Sequence, residues 1–255
     1  MPLDIVTVPC RADNYAFLIH APESGRTALV DAPETAPLEH ALSAHGWTLD
    51  EIWITHHHAD HVEAVDPLRR AFGATVTGAK ADAHRLPALD RAVGDGDTFD
   101  FEGHAVTVMD VSGHTVGHVA FHIPSADAVF TADSLMALGC GRVFEGTHEQ
   151  MWASLSKLAA LPPETTVYSG HEYTDTNARF ARTIEPDNPA LMSRLEAIAA
   201  ARAAGKPTVP STLAEELATN PFLRAGHADV KAAIGLPGAR DEEAFAEVRR
   251  RKDRF

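Results

Sequence analysis

The stretch Thr55-His56-His57-His58-Ala59-Asp60-His61 constrains this chain more than any other seven residues. It reads H-x-H-x-D-H, three imidazoles and a carboxylate within six positions. Imidazole and carboxylate together suit zinc, iron and manganese. The spacing excludes a helix for the first two histidines, because helical side chains share a face at i and i+3 or i+4, not at i and i+2. His56 and His58 converge only from an extended segment or from the loop that ends one. Glu51-Ile52-Trp53-Ile54-Thr55 is β-branched and aromatic, and reads as the buried strand that supplies it. Val62 to Ala71 reads as a helix, so Asp60 and His61 fall where strand gives way to helix. His57 sits between two ligands on extended chain and is expected to point the other way. The bland alternative is a histidine-rich loop in solvent. Three more candidate ligands downstream, in matching contexts, weigh against it.

Each of those three directly follows a predicted strand. His114 follows Val106–Val111, Asp133 follows Ala128–Thr131, and His171 follows Thr166–Ser169. Strands in register bring four such ends to one edge, where α/β folds usually place their chemistry. The set is then His56, His58, Asp60, His61, His114, Asp133 and His171, five imidazoles and two carboxylates. One zinc takes four ligands. Seven suit two metals sharing a carboxylate. His118 begins the next strand and reads as a core or supporting histidine.

The rest of the chain frames this centre. At 255 residues and 45% hydrophobic it can bury one large domain, or one domain with an appendage. Up to Tyr173 short strands alternate with occasional helices, which predicts layered mixed sheets flanked by helices. After Tyr173 the strands are expected to stop. Asp175–Ile184, Pro189–Ala204, Thr212–Leu217, Ala228–Ile234 and Asp241–Arg251 read as helices, a small all-α C-terminal domain. The expected division is therefore 1–173 and 174–255. No run of 18 apolar residues predicts a membrane span, and the N-terminus lacks a signal-peptide pattern. Two cysteines, Cys10 and Cys140, cannot make a disulfide framework, which fits a reducing cytoplasm. A net charge of −14 argues against non-specific nucleic-acid binding and makes an anionic substrate awkward unless positive charge is concentrated locally.

H-x-H-x-D-H, then G-H-T-x-G-H, then an Asp and a Gly-His, resembles the metallo-β-lactamase superfamily. Gly139-Cys140-Gly141-Arg142-Val143-Phe144-Glu145-Gly146-Thr147, Gly170-His171-Glu172-Tyr173-Thr174, Pro207–Leu213 and the tail Arg249–Phe255 are more specific. With them the chain resembles the glyoxalase II, or hydroxyacylglutathione hydrolase, family over nearly its whole length. The resemblance implies an αββα sandwich of two mixed β-sheets with a helical C-terminal domain. It implies two divalent metals, zinc first, with iron or manganese fitting the same donors. His56, His58 and His114 would hold one metal, Asp60, His61 and His171 the other, and Asp133 would bridge them. It implies hydrolysis of an S-(2-hydroxyacyl)glutathione such as S-D-lactoylglutathione, the second step of methylglyoxal detoxification, by a hydroxide that bridges the metals and that Asp60 helps to orient. Arg142, Phe144, His171, Tyr173, Arg249 and Lys252 would bind the glutathione thioester in a monomer. Phe144 stands where the family often has tyrosine, Arg142 where many members have lysine, and Ala59 where many have an aromatic, which predicts weaker or broader glutathione recognition. The closest rival is a mononuclear iron persulfide dioxygenase of the same superfamily, whose members lack the long helical C-terminal domain and basic tail. The charge counts against a nuclease of the superfamily, and the complete ligand set counts against a non-catalytic scaffold.

Overall fold

A computed structural model describes residues 2–255. The chain divides into two compact units. One runs to Asp110 and takes in Val116–Thr131; the other holds Val111–Thr115 and Ala132–Phe255.

In the first unit a six-stranded sheet has the order β1 (Asp4–Cys10), β2 (Asn14–Ala21), β3 (Arg26–Val30), β4 (Glu51–Trp53), β5 (Thr75–Ala79), β6 (Arg91–Val93). The first three strands pair antiparallel and the remaining pairs are parallel. Leu29, Ile52 and Val76 lie abreast across the parallel strands, each wholly buried, as sheets covered on both faces require. Helices α1 (Thr35–His45), α2 (Ala59–Val62) and α3 (Val65–Phe72) belong to this unit. The predicted helix from Val62 to Ala71 is thus two helices broken at Glu63-Ala64, and Asp60 and His61 lie inside the first. An antiparallel meander comes next, β7 (Thr98–Phe101), β8 (His104–Asp110), β9 (Val119–Ile123) and β10 (Ala128–Ala132). Trp53 joins meander to sheet, with ring centroids 5.2, 5.4 and 5.6 Å from Phe99, Phe101 and Phe121.

The second unit opens with the short hairpin β11 (Leu135–Met136) and β12 (Gly139–Cys140), then α4 (His148–Ala159) and β13 (Thr166–Ser169). Helices α5 (Thr174–Ile184) and α6 (Pro189–Ala203) come next, then β14 (Ser211–Thr212), α7 (Leu213–Thr219), α8 (Ala228–Ala233) and α9 (Asp241–Asp253). Strands therefore do not stop at Tyr173, since β14 pairs antiparallel with β13. Thr212 ends that strand and caps α7 in a reciprocal capping box with Glu215. Wholly buried Glu216 takes hydrogen bonds from Ser211 Oγ, Asn220 Nδ2 and the Leu138 amide at 2.7, 3.0 and 2.9 Å and pairs with Arg194. A buried carboxylate satisfied in this way fixes the hairpin and α7 in one arrangement. Among the described residues no helix is long and apolar enough to cross a membrane.

Candidate metal centre

In the first unit the chain leaves β4 extended, and His58 is still in β conformation as the N-cap of α2. Asp31, just past β3 and buried, organises the stretch from Thr55 to His61. Its Oδ1 accepts from the Thr55 amide and its Oδ2 from the Thr55 hydroxyl, each at 2.8 Å. The same Oδ2 lies 2.8 Å from His61 Nδ1. A carboxylate only accepts, so His61 carries its proton on Nδ1 and keeps a lone pair on Nε2. Thr55 has spent its hydroxyl proton on Asp31, so its oxygen accepts from His56 Nδ1 at 3.0 Å. His56 therefore also offers Nε2. Asp31, His56 and His61 have possible ligand atoms within 4.8 Å of one another. Both Asp31 oxygens already take hydrogen bonds, so Asp31 orients the imidazoles rather than serving as a ligand.

His56 Nε2 lies 3.1 Å from His58 Nδ1, so the two histidines converge as their i, i+2 spacing predicts. Asp60 is held by Asn14, whose Nδ2 donates to its carbonyl at 3.1 Å and to Oδ2 at 3.0 Å. His61 Nε2 is 3.7 Å from that Oδ2. His57 turns away, its Nδ1 2.9 Å from Asp82 Oδ2. His118 is buried with its ring stacked on His56 at 4.5 Å and 12°, a supporting position.

In the second unit His114 Nδ1 donates to the Arg142 carbonyl at 2.8 Å, which leaves the Nε2 lone pair facing Asp133 Oδ2 at 3.4 Å. His171 Nε2 is 3.3 Å from the same oxygen. A charge-assisted hydrogen bond would close to about 2.7–2.9 Å. Two ligands each about 2.05 Å from one tetrahedral zinc stand about 3.3 Å apart. The observed separations match the second case, so the donors fit a cation that keeps lone pair and carboxylate from repelling. Ala132, just before Asp133, has φ 42 and is pinned by the Gly170 amide at 3.0 Å from its carbonyl. That strained backbone aims the carboxylate. Gly141 is confined by the same residues. A Cβ there would lie 1.9 Å from the Asp133 carbonyl oxygen and 2.9 Å from His114 Nδ1.

The other residues expected to act lie in this second unit. Tyr173 is 40% exposed and stacks on His171 at 4.6 Å and 5°. Phe144 is 61% exposed, its ring 5.3 Å from His114. Arg142, Arg249 and Lys252 gather near Asp253. Arg142 Nε is 3.4 Å from its carboxylate, while Arg249 Nη2 and Nε are at 2.9 and 3.1 Å. Arg249 is buried, also donates to the Cys140 carbonyl at 2.9 Å and lies 5.0 Å over Phe222. Lys252 Nζ lies 3.2 Å from the Thr176 carbonyl and 5.3 Å from both the Phe180 and Phe255 rings. Burial first, then the charges of Arg249 and Arg179, push its pKa down to about 8. Burial likewise pushes the thiols of Cys10 and Cys140 up, to about 12 and about 11. Neither is a nucleophile near neutral pH.

Asn14, Asp31 and Asp82 are the site residues that sequence reasoning passed over. Asp31 carried a usable signal, since it follows a strand just as His114, Asp133 and His171 do. Asn14 reads as a turn residue, and nothing beside Asp82 in the sequence marks it.

The comparisons agree along the whole chain. The metallo-beta-lactamase superfamily model matches residues 12–171, and the hydroxyacylglutathione hydrolase C-terminus model matches 172–255. The chain is 64% identical over 255 residues to a hydroxyacylglutathione hydrolase of Roseobacter denitrificans, covering 100% of each. It is 62% identical over 255 residues to one of Ruegeria pomeroyi, again covering 100% of each. Among solved structures, ETHE1 from Myxococcus xanthus superposes with a TM-score of 0.69 at 25% identity, over 98% of this chain and 90% of that one. TTHA1623 in a di-iron-bound form gives 0.63 at 25% identity, over 85% of this chain and 98% of that one.

Proposed function

This chain belongs to the hydroxyacylglutathione hydrolase family of the metallo-β-lactamase superfamily, and we propose that it hydrolyses S-(2-hydroxyacyl)glutathione thioesters such as S-D-lactoylglutathione. The products are glutathione and a 2-hydroxy acid, the second step of methylglyoxal detoxification. The protein is an enzyme, a thioester hydrolase, with the family's fold of two mixed sheets flanked by helices and a helical C-terminal domain. The observation that carries the reading is full-length identity of 64% to a curated hydrolase of this name. The shared approach of His114 and His171 to one Asp133 oxygen supports it.

The reading assigns His56, His58 and His114 to one metal, Asp60, His61 and His171 to the other, and Asp133 to both. Zinc is the first choice, and iron or manganese suits the same donors. When bound, the metals supply a water acidic enough to attack near neutral pH and a Lewis acid for the thioester carbonyl. The chain supplies orientation. Asp31, directly and through Thr55, presents Nε2 of His61 and His56; the Arg142 carbonyl presents that of His114; Asn14 holds Asp60. Asp60 would orient the attacking water. Lys252 and Arg142 offer positive charge to the glutathione carboxylates, with Arg249 fixed behind them. Tyr173 and Phe144 offer apolar faces beside two ligands. A thiolate leaves readily, so no dedicated general acid is needed.

The proposal divides the chain into a catalytic domain, 1–173, and a substrate-binding domain, 174–255. The two family models meeting at 171–172 support that boundary, as does the placing of Arg249 and Lys252 on α9. A cytoplasmic location and a monomeric state complete the reading; the two free, buried cysteines support the first. The test combines metal analysis with loss of thioester absorbance on S-D-lactoylglutathione, with non-glutathione thioesters in parallel. Turnover of the glutathione thioester by protein holding two metals is expected. No turnover by that protein, or oxygen uptake with glutathione persulfide, would overturn the assignment.

A further inference from the structure

We propose that Asp82 is a positioning residue for the metal held by His56 and His58, acting through His57 and the backbone rather than on the metal. The inference rests on the two-metal reading above. On extended chain His57 leaves on the side opposite its two neighbours, so whatever holds His57 also sets the direction in which they point. Asp82, at the end of the 3₁₀ turn Lys80–Asp82, does the holding. It has no exposed surface, and its Oδ2 accepts from His57 Nδ1 at 2.9 Å. Its Oδ1 accepts from Arg85 Nε at 2.5 Å, and Arg85 Nη2 donates to the Val116 carbonyl at 3.0 Å. Gly117 closes the third side with φ 94, where a Cβ would lie 3.0 Å from that of Asp82. A buried carboxylate with both oxygens engaged has little freedom left.

The tie has a counterpart. The Val119 amide donates to the Thr55 carbonyl at 2.9 Å, and His118 stacks on His56. Residues 116–119 therefore grip the histidine stretch at two points: at Thr55 and His56 directly, and at His57 through Arg85 and Asp82. With both in place the backbone from Thr55 to His58 cannot rotate, and His56 Nε2 stays 3.1 Å from His58 Nδ1. Without the Asp82 tie, His57 loses its anchor between Thr55 and His58, whose carbonyl accepts from the His61 amide at 2.9 Å. His61 is oriented separately by Asp31, so its metal should not respond.

The experiment compares wild type with Asp82→Asn and His57→Ala. Metal content, affinities for each of two zinc ions by chelator competition, the visible spectrum of the cobalt form, circular dichroism and kinetics are measured. His57→Ala removes the tie from its half-buried end and serves if Asp82→Asn does not fold. Expected are two metals in wild type and, in the variants, about tenfold weaker affinity for one metal only. The cobalt spectrum changes and kcat falls, with KM held within twofold. Wild-type affinities for both metals in the folded variants would overturn the role of Asp82 and leave the two-metal reading standing. Equal weakening of both would mark Asp82 as merely structural and overturn it too. Fewer than two metals in wild type would overturn both readings.

Discussion

Raising the pH should strip this enzyme of substrate affinity a full two units before an ordinary lysine would allow. Lys252 is half-buried on α9 between Phe180 and Phe255, with Arg249 and Arg179 adding like charge, and its pKa is pushed down to about 8. The sign comes from the group being a base: the charge is present below pH 8 and lost as pH rises through it. About ten molecules in eleven carry it at pH 7, and about one in eleven at pH 9. If that charge meets a glutathione carboxylate, kcat/KM, which reports the free enzyme, falls about tenfold per unit above pH 8. An unshifted lysine would hold kcat/KM level to about pH 10. The assay is initial rates on S-D-lactoylglutathione from pH 6.5 to 9.5 at constant ionic strength, corrected for spontaneous thioester hydrolysis. Lys252→Arg keeps its charge throughout and should abolish the alkaline limb. Lys252→Ala should raise KM about 10–100-fold at pH 7, the worth of one charged hydrogen bond, with a smaller effect on kcat. An alkaline limb that survives Lys252→Arg, or a KM that Lys252→Ala leaves unchanged, refutes the reasoning.

Asp31→Asn cannot accept at both oxygens as Asp31 does from Thr55 and His61, so chelator competition should find metal affinity about 10–100-fold weaker. Gly141→Ala places a methyl group 1.9 Å from the Asp133 carbonyl, and purified protein should lose metal and at least about a hundredfold in kcat; wild-type turnover would show that the two loops are free to part. Phe144→Tyr restores the family hydroxyl and should lower KM for glutathione thioesters a few-fold with kcat unchanged, read from saturation curves. Metal removal by chelator should lower the Tm by several degrees, since it leaves Asp133 facing the lone pair of His114; recovery on adding zinc checks the cause.

The candidate metal ligands stand out in the sequence because their signal is local. An H-x-H-x-D-H spacing excludes a helix for its first half, and each later ligand closes a strand that its own residues announce. Helix α9 was legible from its own pattern, whereas a substrate role for its basic tail came only from the resemblance. What escaped has a different physics. Strand β6, the hairpin β11–β12 and β14 are two or three residues long, too short for any period, and exist because a neighbouring strand supplies hydrogen bonds. Asn14 acts on Asp60 across 46 residues, Asp31 on His61 across 30, and Asp82 on His57 across 25. Arg249 reads as a solvated grip for a carboxylate, yet it is buried against Cys140, 109 positions away. Partners chosen by the fold leave no mark beside the residue they choose.

The net charge of −14 argues against an anionic substrate only if it is spread evenly. Counting by unit, the first carries 7 Lys and Arg against 19 Asp and Glu, a net −12, and the second 15 against 17, a net −2. A glutathione thioester needs only the potential within about a Debye length of where it binds, about 8 Å at physiological salt. In the second unit Arg249 and Lys252 come from α9, Arg179 from α5 and Arg142 from the segment after β12, against the carboxylates of Asp253, which holds Arg142 and Arg249, and Asp175, 3.3 Å from Arg179. Those carboxylates also account for how so many cations are kept together in the absence of substrate. Arg249, with its guanidinium on Asp253 and the Cys140 carbonyl, becomes a fixed source of positive potential, and one of the charges that lower the Lys252 pKa. The excess acid of the chain lies largely in the other unit, with the proposed ligands His56, His58, Asp60 and His61, where negative charge favours cations.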